Sequence, residues 1–310
     1  MCGLTEHALA AVAPLRRLTA SLYLLLCRGI AIDGGHETMI SETWVAAYFW
    51  SDPNKERNSA VGIGIFGNDH YVSNTIVFSS RVGVQLTGAA NILNGVHTWN
   101  DAKGNGGIGI LNSMSQNRFI GCYLDFNDLV LAGDGAQQTS ISDGFFLGGG
   151  QIQFQARAAG NSVFGVAIVG NVWFDTNSPA LAVNESSGTW TSVTDLTVVG
   201  TTLQQGQATT HVPRATIITA AMTGSSSATT VDFSRVLLFP HAPIQSASVT
   251  VVGPADGSGA APPTAIVGAL PNSAAPLVVS VYAPAPAAYK APFQLVVTAD
   301  QSAYSTTSRA

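Results

Sequence analysis

The segment at residues 32–44, IDGGHETMISETW, gathers titratable side chains in a chain of which only 10% is charged. Asp33, His36, Glu37 and Glu42 all lie in it. Carboxylates and imidazoles held close together shift one another's pKa values and can divide the roles of acid and base. Neighbouring glycines let a ligand or a second stretch of backbone approach. The segment is therefore a candidate catalytic site, and the alternative is a turn whose carboxylates only accept backbone N–H groups.

Glycine-led apolar runs recur along the chain and predict the elements that position this segment. GIAI begins at Gly29, GIGI at Gly62, GVQL at Gly83 and GIGI again at Gly107. The first step is longer than the others because a charged, Pro-containing insertion occupies residues 51–58. A repeat of about 22 residues that lacks the leucines of leucine-rich repeats predicts an all-β parallel β-helix.

A second strand follows at a fixed offset in each coil, in SETWV, SNTIV, NGVHT, IGCYL, SDGFF and GNVWF. Its second position holds residue types that tolerate left-handed backbone, which predicts a turn corner at Glu42, Asn74, Gly95, Gly121, Asp143 and Asn171. The alternation of side chains along a strand then directs one set inward, including Cys122, which we expect to be a buried thiol and no nucleophile.

The outward column of this strand is rich in aromatic residues: Trp44, Ile76, His97, Tyr123, Phe145 and Trp173, with Trp99 and Asp125 two residues further along. Stacked strands lie about 4.8 Å apart, so these side chains should form a ladder on one face. Exposed aromatic rings suit the apolar faces of sugars, and the ladder therefore predicts a carbohydrate-binding surface. The alternative is that a loop or the C-terminal segment covers it.

Counting from the leading glycines also aligns the candidate site with the next coil. It places Gly34 above Gly67, His36 above Asp69 and Glu37 above His70. Inverting glycoside hydrolysis needs two carboxyl groups about 6.5–9.5 Å apart, and Asp69 with Glu37 suits that separation, with His36 tuning the pair. Asp125 with His97 is the alternative acid–base pair.

Several ordered segments resemble the QUARTET-type polygalacturonases, which are divergent members of the pectin-lyase-like superfamily. They run from about Gly29 to Pro240: IDGGHETMIS, the stretch from GNDHYVSN to GNGGIGI, GCYLDFNDLVL, FFLGGG and VDFSRVLLFP. The resemblance implies a right-handed parallel β-helix that hydrolyses α-1,4-linked galacturonan in pectin. The family pattern maps onto Asp33, Gly34, Gly35, His36, Glu37, Asn68, Asp69, His97, Tyr123 and Asp125. The usual polygalacturonase signatures Asn-Thr-Asp, Asp-Asp, Gly-His-Gly and Arg-Ile-Lys are absent.

The predicted function is therefore polygalacturonase-type hydrolysis of a polysaccharide, without a metal or a cofactor. Trp44, Trp99, Tyr123 and Trp173 are the candidate substrate-binding aromatics, and the candidate cations for galacturonate carboxylates are Arg81, Lys103 and Arg118. One alternative is a glycan-binding or structural solenoid without activity, or a truncated inactive relative. Another is a calcium-dependent pectate lyase, which the low density of calcium-type ligands disfavours.

Charge and the two ends of the chain complete the expectations. A net charge of −5 leaves no basic footprint for nucleic acid. Residues 15–27 put two arginines before a short apolar run, which predicts either a signal-like segment or a helical cap and is too short to span a membrane. We expect residues 1–28 to be that segment, 29–240 the β-helix and 241–310 an Ala-, Pro- and Ser-rich β tail. An extracellular or cell-wall location follows from the substrate.

Overall fold

A computed structural model describes residues 9–10, 17–19, 22–24, 28–46, 61–99, 107–175, 180–203, 216–222, 228–239, 244–254, 267–269, 277–282 and 293–301. The chain divides into two compact units. The first comprises Met1–Thr191 with Gly200–Pro213, and the second comprises Ser192–Val199 with Arg214–Ala310.

The first unit is a right-handed parallel β-helix, as predicted, in which each coil contributes one strand to each of three parallel sheets. Sheet A contains Leu9–Ala10, Arg28–Ile32, Val61–Ile65, Val82–Leu86, Ile108–Asn112, Asp128–Ala132, Ile152–Gln155 and Leu181–Asn184. Sheet B contains Arg17–Thr19, Met39–Ser41, Tyr71–Ser73, Ile92–Asn94, Arg118–Ile120, Ser140–Ser142 and Ala167–Val169. Sheet C contains Leu22–Leu24, Trp44–Ala46, Ile76–Phe78, His97–Trp99, Tyr123–Asp125, Phe145–Leu147, Val172–Phe174 and Thr201–Leu203. Asn161–Phe164 and Trp190–Thr194 are further strands, and Gly133–Ala136 forms a 3-10 turn.

Alternating side chains of the three sheets fill the interior of the coil. The inward residues predicted for sheet C and for the positions just before it are buried: Thr43, Val45, Thr75, Val77, Val96, Thr98, Cys122, Leu124, Gly144, Phe146, Val172 and Phe174. Burial raises the pKa of the Cys122 thiol to about 12, so this cysteine is a core residue, as predicted.

The corner between sheets B and C uses the left-handed backbone that the sequence predicted. Five residues of the column have positive φ: Glu42, Asn74, Gly95, Gly121 and Asp143. The prediction is wrong for the sixth coil, where Gly170 and not Asn171 has the positive φ. This coil holds one more residue between the two sheets, because Ser142 pairs with Val169 whereas Phe145 pairs with Trp173.

The helical cap expected near residues 15–27 is not observed in the described part of that segment. Arg17–Thr19 pairs with Met39–Ser41, and Leu22–Leu24 pairs with Trp44–Ala46, both in parallel. The repeat therefore starts one coil earlier than the first glycine-led run indicated. Parallel pairing gives each backbone group a partner on the next coil, which outweighs the helical preference of a leucine-rich run.

The second unit contains two antiparallel sheets and a core of its own. One sheet has the order Ile217–Met222, Phe293–Asp300, Ser246–Pro254, and the other has Ala228–Asp232, Val278–Tyr282, Val267–Ala269. The expected end of the β-helix at residue 240 was thus wrong, because residues 217–232 pair antiparallel with later strands. Alternation alone does not reveal the direction in which a strand pairs.

None of the residues covered by the structure lies in a helix of the length and apolarity needed to cross a membrane.

Candidate functional site

The corner between sheets A and B carries the candidate acid–base cluster. His36 and Asp69 come from consecutive coils, and Nδ1 of His36 lies 2.9 Å from Oδ2 of Asp69. Both side chains are exposed, by 64% and 51%. An exposed ion pair contributes about 0–1 kcal/mol to stability, so the scaffold does not depend on this contact. Both side chains are therefore accessible to a ligand, and the fold does not require their contact.

The register of this corner differs by one residue from the expected alignment. Met39 pairs with Tyr71, so Glu37 lies in the same column as Asp69 and His36 in the same column as Asn68. The expectation that Glu37 stacks on His70 was wrong. In sheet A, Ile32 pairs with Ile65. These two partners are one position farther apart in the sequence than Met39 and Tyr71, which pair in sheet B. The two coils therefore differ by one residue in the length of this corner.

Glu37 and Asp69 share an unusual backbone conformation. Their φ angles are +62° and +61°, and the same column continues with Ala90, Gln116 and Gln138 at positive φ. A left-handed non-glycine residue costs roughly 1–2 kcal/mol, less for Asp. This conformation turns both carboxylates outward at the same place on adjacent coils, whose strands are about 4.8 Å apart. Asp33 directly follows the sheet A strand of the first coil and is exposed.

A ladder of buried polar side chains supports the corner from inside. The backbone N–H of Thr38 donates to Nδ1 of His70 (3.0 Å), and the N–H of His70 donates to Oδ1 of Asn91 (2.9 Å). The N–H of Asn91 in turn donates to Oδ1 of Asn117 (2.7 Å). Each side chain thus accepts the backbone N–H of the coil before it. His70 is 1% exposed and is therefore a buried part of this corner.

His70 is the titratable member of this ladder. Its Nδ1 accepts a hydrogen bond, so a neutral ring carries its proton on Nε2, and Nε2 is buried without a hydrogen-bond partner in the described structure. Burial lowers the pKa of His70, and the nearby His36 lowers it further, while Asp69 acts in the opposite direction. The ring packs against Gly67, where an added Cβ would lie 2.5 Å from Nε2 and 2.6 Å from the carbonyl oxygen of Gly35. Only glycine fits at residue 67.

The outward face of sheet C, here called the aromatic face, has the predicted register. Its first column pairs Trp44, Ile76, His97, Tyr123, Phe145 and Trp173 in order along the sheet. Trp44 and Phe145 are exposed by 55% and 47%. The second column contains Phe78, Trp99, Asp125, Leu147 and Asp175. Asp175 belongs to it because its backbone N–H donates to the carbonyl of Phe146, which places it beside Leu147.

Ring contacts join the members of the aromatic face. The ring of Phe78 lies 6.4 Å from that of Trp44 and 6.4 Å from that of Trp99. Farther along the sheet, Phe145 and Trp173 are 6.2 Å apart. These centroid distances fall in the range of favourable aromatic pairs. The face therefore presents rings that hold one another in place before any ligand binds.

The proton-transfer pair expected between His97 and Asp125 is not formed. The His97 ring instead stacks on Tyr123 at 4.1 Å with an interplanar angle of 12°, and Asp125 pairs in register with Trp99. Burial lowers the pKa of His97 and raises that of Asp125. The pKa of Tyr123 is raised by burial and by the charge of Asp125. Stacking fixes the imidazole parallel to the phenol ring, so its nitrogens do not reach Asp125.

The predicted cations are dispersed. Arg118 is exposed on sheet B, and Arg81 is exposed on the turn that leads from sheet C back to sheet A. Lys103 lies outside the described residues. In each coil a strand of sheet B and the second corner separate the His36–Asp69 cluster from the aromatic face. The structure thus gives two separate candidate sites on different parts of the coil. No set of three or more metal-type ligands occurs among the residues whose positions are described.

Three residues at these sites were not singled out from the sequence. His70 could have been found from the later ladder members, because Asn91 and Asn117 likewise directly precede a strand of sheet B. Phe78 and Asp175 belong to the second column of the aromatic face. Phe78 had a signal, since it lies two residues beyond Ile76 as Trp99 lies two beyond His97. Asp175 had the same signal, since it lies two residues beyond Trp173 as Asp125 lies two beyond Tyr123.

Comparison with known proteins adds evidence of another kind. The chain is similar to the polygalacturonase QRT3 of Arabidopsis thaliana. The two are 32% identical over 247 residues, which is 77% of this chain and 50% of the relative. The resemblance to QUARTET-type polygalacturonases is thereby confirmed, while the chain spans half the length of this curated relative. No protein-family model matches the chain.

Proposed function

We propose that the protein hydrolyses a pectic polysaccharide of the galacturonan type at the corner between sheets A and B. The observation that carries the proposal is the meeting of His36 and Asp69 at 2.9 Å beside the in-register carboxylate of Glu37, in a chain similar to a polygalacturonase. The corner is open to solvent, and its side chains come from two coils that the buried ladder holds in register.

The arrangement supports a division of roles between the two carboxyl groups. The imidazole N–H of His36 donates to Asp69, which keeps that carboxylate oriented as a hydrogen-bond acceptor. Asp69 would activate the water that attacks the anomeric carbon, and Glu37 would give its proton to the leaving glycosidic oxygen. The water's proton passes to Asp69, so charge and protons balance over the reaction. Asp33, on the same corner, would contact substrate hydroxyls.

Binding of the polysaccharide chain is assigned to other side chains. Away from the corner, Trp44, Trp99, Tyr123 and Trp173 would stack on sugar rings in those stretches of the polysaccharide whose carboxyl groups are esterified. Arg81 and Arg118 would meet substrate carboxylates that pass over their parts of the surface, and Lys103 remains a candidate for the same role. His97 and Asp125 stay the alternative catalytic residues, although their present arrangement lacks a hydrogen bond between them. Action on pectin implies an extracellular or cell-wall location.

A second candidate function is glycan binding without catalysis. The aromatic face favours it, because exposed Trp44 and Phe145 need no acid–base chemistry to bind sugar. The two functions predict different products, and so does a lyase. Incubation with polygalacturonate and with methyl-esterified pectin would be followed by reducing-end release and by near-ultraviolet absorbance. Hydrolysis releases reducing ends without an unsaturated product, a lyase gives both signals, and a binding protein gives neither. The last two results would each contradict the proposal.

A further inference from the structure

The aromatic face combines stacked rings with carboxylates, and this combination selects among sugars. Asp125 and Asp175 occupy one column, separated by Leu147, so they lie two strand steps or about 9.6 Å apart. Trp173 and Phe145 occupy the neighbouring column beside them. Rings that stack on a sugar and carboxylates that accept from its hydroxyls are the usual contents of a carbohydrate site.

The charged side chains of the two outward columns are all carboxylates, and Arg81 lies outside these columns, on the turn that leads from sheet C to sheet A. In the described part of sheet C, neither outward column contains Lys or Arg, and Glu42 and Asp143 carry further carboxyl groups at the corner that borders the sheet. A uronic acid placed on the rings would bring its carboxylate close to Asp125 or Asp175. The carboxylate of the sugar and that of the aspartate would repel each other, and this repulsion is screened less on a partly desolvated face than in open water.

We propose that the aromatic face is a second carbohydrate site, separate from the His36–Asp69 corner, that binds uncharged, methyl-esterified galacturonan in preference to the free acid. Its first column runs over five strand steps from Trp44 to Trp173, about 24 Å along the solenoid axis, so it presents rings to several consecutive sugars. Esterification removes the substrate charge and leaves hydroxyls to donate to Asp125 and Asp175. The site does not depend on the proposed hydrolysis.

Titration calorimetry with two oligogalacturonides of equal length, one the free acid and one fully methyl-esterified, tests this site. The esterified form should bind at least about tenfold more tightly at low salt. Phe145→Ala and Trp44→Ala should each weaken its binding by about tenfold. Both side chains are exposed, so their removal leaves the core intact. Met39→Ala, which removes an exposed apolar side chain from sheet B, is the matched control and should leave the affinity unchanged.

The double variant Asp125→Asn/Asp175→Asn should bring the two affinities to within about threefold by removing the repulsion. Titrations would be repeated with Asp69→Asn, so that cleavage does not distort them. The site would be overturned by unchanged affinity in both aromatic variants, or by equal or tighter binding of the free acid to the aromatic face, measured as the part of its binding that is lost in Trp44→Ala and Phe145→Ala. If the parent protein hydrolyses polygalacturonate but gives either of these binding results, the aromatic-face proposal is contradicted and the proposed hydrolysis is not. If the parent protein binds the esterified form but hydrolyses no pectin, the proposed hydrolysis is contradicted and the aromatic-face proposal is not.

Discussion

His70 and Asn91 occupy equivalent positions in consecutive coils, and the backbone N–H of His70 donates to Oδ1 of Asn91 at 2.9 Å. In the same way, Nδ1 of His70 accepts the backbone N–H of Thr38 from the coil before it, where Asn91 uses an amide oxygen. An imidazole that becomes protonated on Nδ1 can no longer accept the N–H of Thr38. The ladder beneath the candidate active site is therefore sensitive to pH at one position, His70.

We predict that the free energy of unfolding falls as the pH is lowered below about 6.5, the pKa of histidine in an unfolded chain. The pKa of His70 is lower than this in the folded protein, because burial and His36 disfavour its charge, so the unfolded state binds more protons in this range. The contribution is fully present above the unfolded pKa and is lost as the pH falls toward the folded pKa. His97, whose pKa is also lowered by burial, acts with the same sign.

His70→Asn should reduce this acid sensitivity and keep the ladder, since Asn91 and Asn117 show that an amide fits the position. Melting temperatures of the parent and the variant from pH 7.5 to pH 5 measure the effect. The variant should lose less stability across this range. Parallel pH profiles for the two proteins would show that His70 has the same pKa in the folded and the unfolded state, and would contradict the prediction.

Replacing Glu37 by Gly should separate strain from chemistry. Glycine accepts the φ of +62° without the cost of a left-handed side chain, so the variant should gain up to about 1 kcal/mol of stability. It should also lose hydrolysis, because the proposed proton donor is gone. Glu42→Gly is the matched control, since Glu42 has a φ of +52° at the other corner. It should gain similar stability and keep its turnover. Retained turnover in Glu37→Gly would remove Glu37 from the mechanism.

Gly67→Ala should destabilise the protein by about 1–3 kcal/mol, because its Cβ would lie 2.5 Å from His70 and 2.6 Å from the Gly35 carbonyl. Part of this cost should disappear in the background of His70→Asn, where the shorter amide leaves more room. A double-mutant cycle from urea unfolding gives the coupling between the two positions. Additive effects would mean that the His70 ring is not packed on residue 67.

The strand positions of the β-helix could be predicted from sequence because its coils impose strict local rules. Inward Val, Phe and Leu alternate with outward residues, and at the corner between sheets B and C the left-handed positions hold Asn, Asp or Gly with the exception of Glu42. The aromatic face followed directly from this alternation. The Leu22–Leu24 strand was missed because a short leucine-rich run satisfies a helix and a buried strand equally well.

The candidate site was only partly predictable. Counting from Gly29 and Gly62 placed the titratable residues at one corner, but the step from the first coil to the next is one residue shorter in sheet B than in sheet A. Counting from the leading glycines alone cannot detect a one-residue change of register between sheets A and B. That change decides which side chain lies in the same column as Asp69. The burial of His70 depends on hydrogen bonds to the neighbouring coils, which a linear pattern does not contain.

The turnover of Asp69→Asn on polygalacturonate and on methyl-esterified pectin tests the proposed hydrolytic corner most directly. Asp143→Asn is its matched control, because Asp143 is also an exposed aspartate with positive φ, at the corner between sheets B and C. Asp69→Asn should lower the rate of reducing-end release by roughly two to four decades while the melting temperature stays close to that of the parent. Asp143→Asn should keep the parental rate. Parental turnover in Asp69→Asn, measured on folded protein, would contradict catalysis at this corner.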